Sequence, residues 1–73
     1  MKKDEILLKV GDEIRRLRKQ RKITQEQLSE MTGIGRTAIS KYENGSIEMP
    51  MYSFVSICEA LQIDFLELLE GIK

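Results

Sequence analysis

Residues 24–45, Thr24 to Gly45, read TQEQLSEMTGIGRTAISKYENG. Thr24 is a good helix N-cap, and Gln27, three residues on, supplies the second half of a capping box. Leu28 and Met31 then fall on one helical face. Gly33 stops the helix, because glycine takes the left-handed conformation there at no steric cost. A second helix starts near Arg36 behind Gly35, a modest cap. Ile39 and Tyr42 give its buried side, which leaves Arg36, Thr37, Ser40 and Lys41 facing elsewhere. Asn44-Gly45 ends it with residues that tolerate positive φ.

Two short helices joined by a tight glycine turn form the unit that lays its second helix in the major groove of DNA. Working outward, Ile6, Val10, Ile14 and Leu17 mark a first helix from about Asp4 to Arg21. Gly11 inside it costs roughly 1 kcal/mol against Ala, so the segment before it is expected to be less firmly helical. Leu7 and Leu8 lie off the stripe. Pro50 suits the first position of a fourth helix carrying Phe54, Ile57, Cys58 and Leu61. Asp64 and Glu67 repeat the capping-box logic ahead of Phe65, Leu66, Leu68, Leu69 and Ile72. No segment alternates with period two. The expectation is an all-α, five-helix fold, one domain over 1–73. Its predicted core is Ile14, Leu17, Ile23, Leu28, Met31, Ile34, Ile39, Tyr42, Phe54, Ile57, Leu61, Ile63, Leu66 and Leu69.

The formal net charge is zero, but its distribution is uneven. Residues 1–44 hold eleven basic and seven acidic side chains, whereas 45–73 hold one basic and five acidic. Six of the eight residues from Arg15 to Lys22 are basic. That asymmetry suits a polyanion on one face; the run equally suits a solvated helix end, where cations favour the dipole. Arg16 and Lys19 in this run are candidates for sequence-independent contact with the DNA backbone. There is no His, no Gly-rich phosphate loop and no metal-ligand spacing, so no enzyme, cofactor or metal is expected. No leader or membrane-length apolar run follows Met1, and the single Cys58 cannot form an internal disulfide. A cytoplasmic protein is expected.

The chain resembles the phage-repressor and Cro type of helix-turn-helix regulators, with the lambda-repressor-like fold. The markers are Ile14-Arg15-Arg16-Leu17-Arg18, Thr24-Gln25-Glu26, Gly33-Ile34, Ile39-Ser40-Lys41-Tyr42-Glu43-Asn44-Gly45 and Asp64-Phe65-Leu66-Glu67-Leu68-Leu69. Each alone is common; together and in order they are specific, and the resemblance spans Val10 to Leu69. The short length and leucine-containing N-terminal extension are also similar to controller proteins of restriction–modification systems. The resemblance implies a recognition helix over 36–43, with Arg36, Thr37 and Lys41 at base-reading positions. It implies a phosphate at Gln25, which also braces the recognition helix, and a paired Arg18 and Glu43 tying the first helix to the third. Ser40 and Asn44 suit phosphate positioning, since short polar side chains commonly serve that role. Ala38 is small enough to let the helix approach the groove wall.

The chain also departs from the family. The loop Ser46-Ile47-Glu48-Met49 carries no cation where a basic loop is usual, so a modest salt dependence is expected. Gly35 replaces a common Ser or Thr cap. Ser29 stands where Ala is common and needs a partner for its hydroxyl. Thr32 stands where a larger apolar residue is usual.

Three base contacts at roughly 1–3 kcal/mol each do not select one site among about a million competitors. A homodimer on a (pseudo)palindromic operator doubles the readout. The apolar surplus of Phe65, Leu68, Leu69 and Ile72 in the C-terminal helix is the expected interface, with Leu7 and Leu8 as possible additions. These residues packing back on the first helix is the opposing outcome. The alternative function is a protein-interaction adaptor or antitoxin-like module of the same fold, for which zero net charge is equally suitable.

Overall fold

In the computed structural model, which describes residues 1–72, the chain forms α1 (Lys3–Gln20), α2 (Gln25–Thr32), α3 (Arg36–Asn44), α4 (Met51–Leu61) and α5 (Phe65–Ile72). The capping box is complete: the Gln27 N–H donates to Thr24 Oγ1 at 3.0 Å, and the Thr24 N–H to Gln27 Oε1 at 2.8 Å. Gly33 and Gly45 both adopt the left-handed conformation, at φ 77° and 70°.

Two further left-handed residues, Lys22 at φ 58° and Gln62 at φ 55°, carry no glycine to announce them. Each is followed by an isoleucine whose N–H reaches back across the helix end, Ile23 to Arg18 O and Ile63 to Cys58 O. This is the Schellman arrangement, in which an apolar residue past the end anchors the turn. Ile63 is buried and Ile23 packs against the core, so the apolar anchor offsets the backbone cost at Lys22 and Gln62.

α1 packs on α3 and α5, and α2 on α3 and α4. One cluster of Ile14, Leu17, Leu28, Ile34, Ile39, Tyr42, Ile57, Cys58, Leu61, Ile63 and Leu68 fills the space between them. Ile23 and Phe54 are partly buried against it. Three expected core residues lie outside: Met31 is 53% exposed, Leu66 66% and Leu69 49%. Cys58 and Leu68 are inside instead, and desolvation pushes the Cys58 thiol pKa up.

Gly11 does not loosen α1, which runs unbroken through it. Its missing side chain is a packing requirement: an added Cβ would overlap the backbone carbonyls of Tyr42 and Glu43. The glycine lets α1 approach the end of α3. Ala38 is partly buried against the core. At α5, Asp64 accepts from the Leu66 N–H at 2.9 Å, but Glu67 does not close a capping box; it turns to Arg21 at 3.4 Å.

Candidate nucleic-acid interface

The turn between α2 and α3 is held by two of the residues that depart from the family pattern, Ser29 and Thr32. Ser29 Oγ donates to Ile34 O at 2.6 Å, and Thr32 Oγ1 accepts from the Ile34 N–H at 3.2 Å while donating to Leu28 O. Both polar groups of the Ile34 backbone are thus satisfied by side chains. The Ile34 side chain is buried, so this bracket fixes where α3 begins.

The far end of α3 is held by Glu43, whose side chain is fully buried. Arg18 Nε donates to its Oε2 at 2.7 Å and Nη2 to its Oε1 at 3.0 Å, a two-point pair between α1 and α3. The remaining Arg18 nitrogen donates to Ile23 O at 2.8 Å. Gln25 Nε2 adds a donor to Glu43 Oε1 at 3.1 Å, which ties α2 into the same joint. Burial alone would raise the Glu43 pKa. The hydrogen bonds from Arg18 and Gln25, with the charges of Arg18 and Arg15, outweigh it, and the carboxyl titrates below its ordinary 4.5. Among the described residues no buried side-chain nitrogen or oxygen lacks a partner.

The basic run divides in two. Arg15, Arg16, Arg18 and Arg21 all have intramolecular carboxylate partners. Lys19 and Lys22 have no recorded ion-pair partner among the described residues. They line one cleft with Thr24, Gln25 and Arg36. A second, adjoining cleft is lined by Gln25, Arg36, Thr37, Ser40 and Lys41. Arg36, Thr37 and Lys41 are exposed and Ser40 half-buried, so the expected base-reading residues share one face.

Arg16 belongs elsewhere. It pairs with Glu13, whose carboxylate lies against Gly71 of α5, and it feels the charge of Glu67. One hundred degrees of helical rotation from Arg15 turns it towards α5, while its side chain stays more than half exposed. Arg15 was not singled out in the sequence, although it lies in the first family marker. It reaches the C-terminal end of α3, where Asn44 is exposed.

The C-terminal helix also needs correction. Leu68 is 1% exposed within the single chain and cannot be an interface residue without unfolding α5. Phe65 and Leu69 remain half-exposed and Ile72 is intermediate. Leu66, expected inside, joins this outer face. The Phe65 ring stacks on Phe54 with centroids 5.6 Å apart. Leu8 is exposed, but it sits against Gly45 at the end of α3. Among the described residues no group of His, Cys, Asp and Glu is arranged to hold a metal, and no helix is long and apolar enough to cross a membrane.

A family model described as helix-turn-helix matches residues 14–68. The HTH-type transcriptional activator BcrR of Enterococcus faecalis is 36% identical over 64 residues, covering 88% of this chain and 31% of that protein. Antitoxin PezA of Streptococcus pneumoniae is 29% identical over 59 residues, covering 81% of this chain and 37% of that protein. The chain therefore spans about a third of the length of these two relatives. Among solved structures, the restriction-modification controller protein C.Esp1396I, as a tetramer with its natural 35-base-pair operator, superposes with a TM-score of 0.81. It is 30% identical, with 90% of this chain and 92% of that one covered. The resemblance to helix-turn-helix regulators is thus found in sequence and fold, and that to controller proteins among solved structures at 30% identity.

Proposed function

The chain belongs to the helix-turn-helix family, and on that premise we propose that it is a sequence-specific regulator of transcription that binds double-stranded DNA. The observation that carries this reading is the division of cations. Arg15, Arg16 and Arg18 of α1 are used inside the molecule, while Lys19, Lys22, Arg36 and Lys41, without ion-pair partners among the described residues, converge on the two clefts beside α3, where Glu26 is the one acidic lining residue. α3 enters the major groove. Arg36 and Lys41 donate to guanine O6 and N7, and the Thr37 methyl meets a thymine methyl. Lys19, Lys22, Gln25, Ser40 and Asn44 meet phosphates and set the register. Gln25 serves with its backbone N–H at the start of α2, its side chain being held by Glu43.

Two copies pair through the outer face of α5, Phe65, Leu66, Leu69 and Ile72, and read a (pseudo)palindromic operator. The protein acts in the cytoplasm and is not an enzyme. Titration of duplex DNA at several salt concentrations tests the proposal. Lys19 and Lys22 on phosphates give a log–log slope of about −2 per subunit, about −4 for a dimer.

The second reading is an adaptor or antitoxin-like module, favoured by the similarity to antitoxin PezA. Absence of duplex binding at every salt concentration would select it and overturn the first.

A further inference from the structure

We propose that Arg15 is a positioning residue for the DNA face: it fixes the side-chain amide of Asn44 so that the –NH2 group, and not the oxygen, meets a phosphate. This rests on the DNA-binding reading above. Arg15 Nη2 donates to Asn44 Oδ1 at 2.7 Å and to the Glu43 carbonyl oxygen at 3.1 Å. A guanidinium has donors only, so the group it holds is the amide oxygen. The two hydrogens of Asn44 Nδ2 are left directed away from Arg15, on an exposed residue at the last position of α3. A phosphate oxygen accepts hydrogen bonds and repels an oxygen. An amide turned over would therefore cost affinity where the fixed one adds it.

The Glu43 carbonyl is among the last four of α3, which lack helical partners and form the negative end of its dipole. Arg15 covers that end. The cover is needed because the loop 46–49 brings no cation, and Glu48 is drawn into an ion pair with Lys3. α3 has nine residues, about 13 Å of helix, so its two ends can meet different phosphates. Lys19, Lys22 and Gln25 serve the N-terminal end, and Asn44, set by Arg15, serves the other. Arg15 is itself two-thirds buried and its charge is offset by Glu43 at 3.6 Å and Asp12 at 3.7 Å, which fits positioning better than direct contact.

The test titrates four proteins, wild type, Arg15→Met, Asn44→Ala and the double variant, onto one selected duplex and one scrambled duplex at two salt concentrations. Each single variant is expected to lose about five- to tenfold affinity on both duplexes. The double variant is expected to fall no further than Asn44→Ala, with the salt slope unchanged in all four. In the free protein, the Asn44 side-chain amide signals in an NMR spectrum are expected to move on Arg15→Met. Losses that multiply in the double variant, or a slope reduced by about one charge, would show Arg15 acting for itself and overturn the proposal. If Arg15→Met fails to fold, Asn44→Asp carries the test. It keeps the acceptor for Arg15 and lacks the donor, so it is expected to lose more affinity than Asn44→Ala while melting no lower than wild type. Wild-type affinity in Asn44→Asp would overturn the proposal. A wild type that binds no duplex removes the DNA reading and this role with it, whereas undiminished binding by Arg15→Met removes this role alone.

Discussion

α3 and α5 are nearly equal in length, nine residues against eight, yet their rotation about the helix axis is set in different ways. α3 has two large apolar residues, Ile39 and Tyr42, three positions apart, so only one side of it can face the core. α5 has five among eight, and apolarity alone leaves its rotation open. Leu68 is the residue turned inward, and Gly71, three residues on, lies on the same side against the Glu13 carboxylate of α1. Gly11 is the stricter case, because an added Cβ there would meet the backbone of α3 and not the end of a flexible side chain. Between α1 and α3 a missing side chain decides how closely the helices meet; at α5 the amount of apolar surface decides only that something must be buried.

The largest effect is expected at the joint that fixes α3. Glu43→Ala strands the buried Arg18 guanidinium and should cost about 3–5 kcal/mol of unfolding free energy in denaturant titrations. The Glu43 pKa lies below its unfolded value. Its contribution is therefore fully present above the unfolded value near 4.5 and is lost as pH falls through the lowered folded value. Denaturation midpoints between about pH 6 and about pH 3 should show that loss in the wild type and a shallower one in Glu43→Gln.

α5 supplies the next contrast. Leu68→Ala removes a fully buried side chain and should cost about 2–5 kcal/mol, whereas Leu69→Ala should change the stability of one subunit by less than about 0.5 kcal/mol. Leu69→Glu should keep the fold by circular dichroism and lower the sedimenting mass from dimer to monomer. If Leu69→Ala destabilised as much as Leu68→Ala, the rotation assigned to α5 would be wrong.

Arg36→Ala should leave stability alone, weaken binding to the selected operator by about 1–3 kcal/mol and relax one base position. Equal loss on random duplex would remove its reading role. Smallest is the cap: Thr24→Ala removes the Oγ1 acceptor for the Gln27 N–H, keeps the backbone half of the box, and should lower stability by about 1 kcal/mol, seen as a small shift in thermal midpoint.

The element order, the caps at Thr24, Gly33 and Gly45, and the Arg18–Glu43 pair were legible because each rests on local chemistry or on the family motif. The end of α1 at Lys22 and of α4 at Gln62 was not, since their left-handed turns depend on Ile23 and Ile63 finding the core. The pairing of Arg16 with Glu13 was not legible, because charge counts do not show which cations are spent on neighbouring carboxylates. Leu68 was misplaced because the sequence shows how much of α5 is apolar and not which side of it packs inward.

The most direct test of the account is selection of bound sequences from random duplexes by the intact chain. The account predicts enrichment of a short sequence in two inverted copies, their centres about 34–36 Å apart along the helix axis, with one position in each copy relaxed by Arg36→Ala. No enrichment, or enrichment that Arg36→Ala leaves untouched, would contradict it.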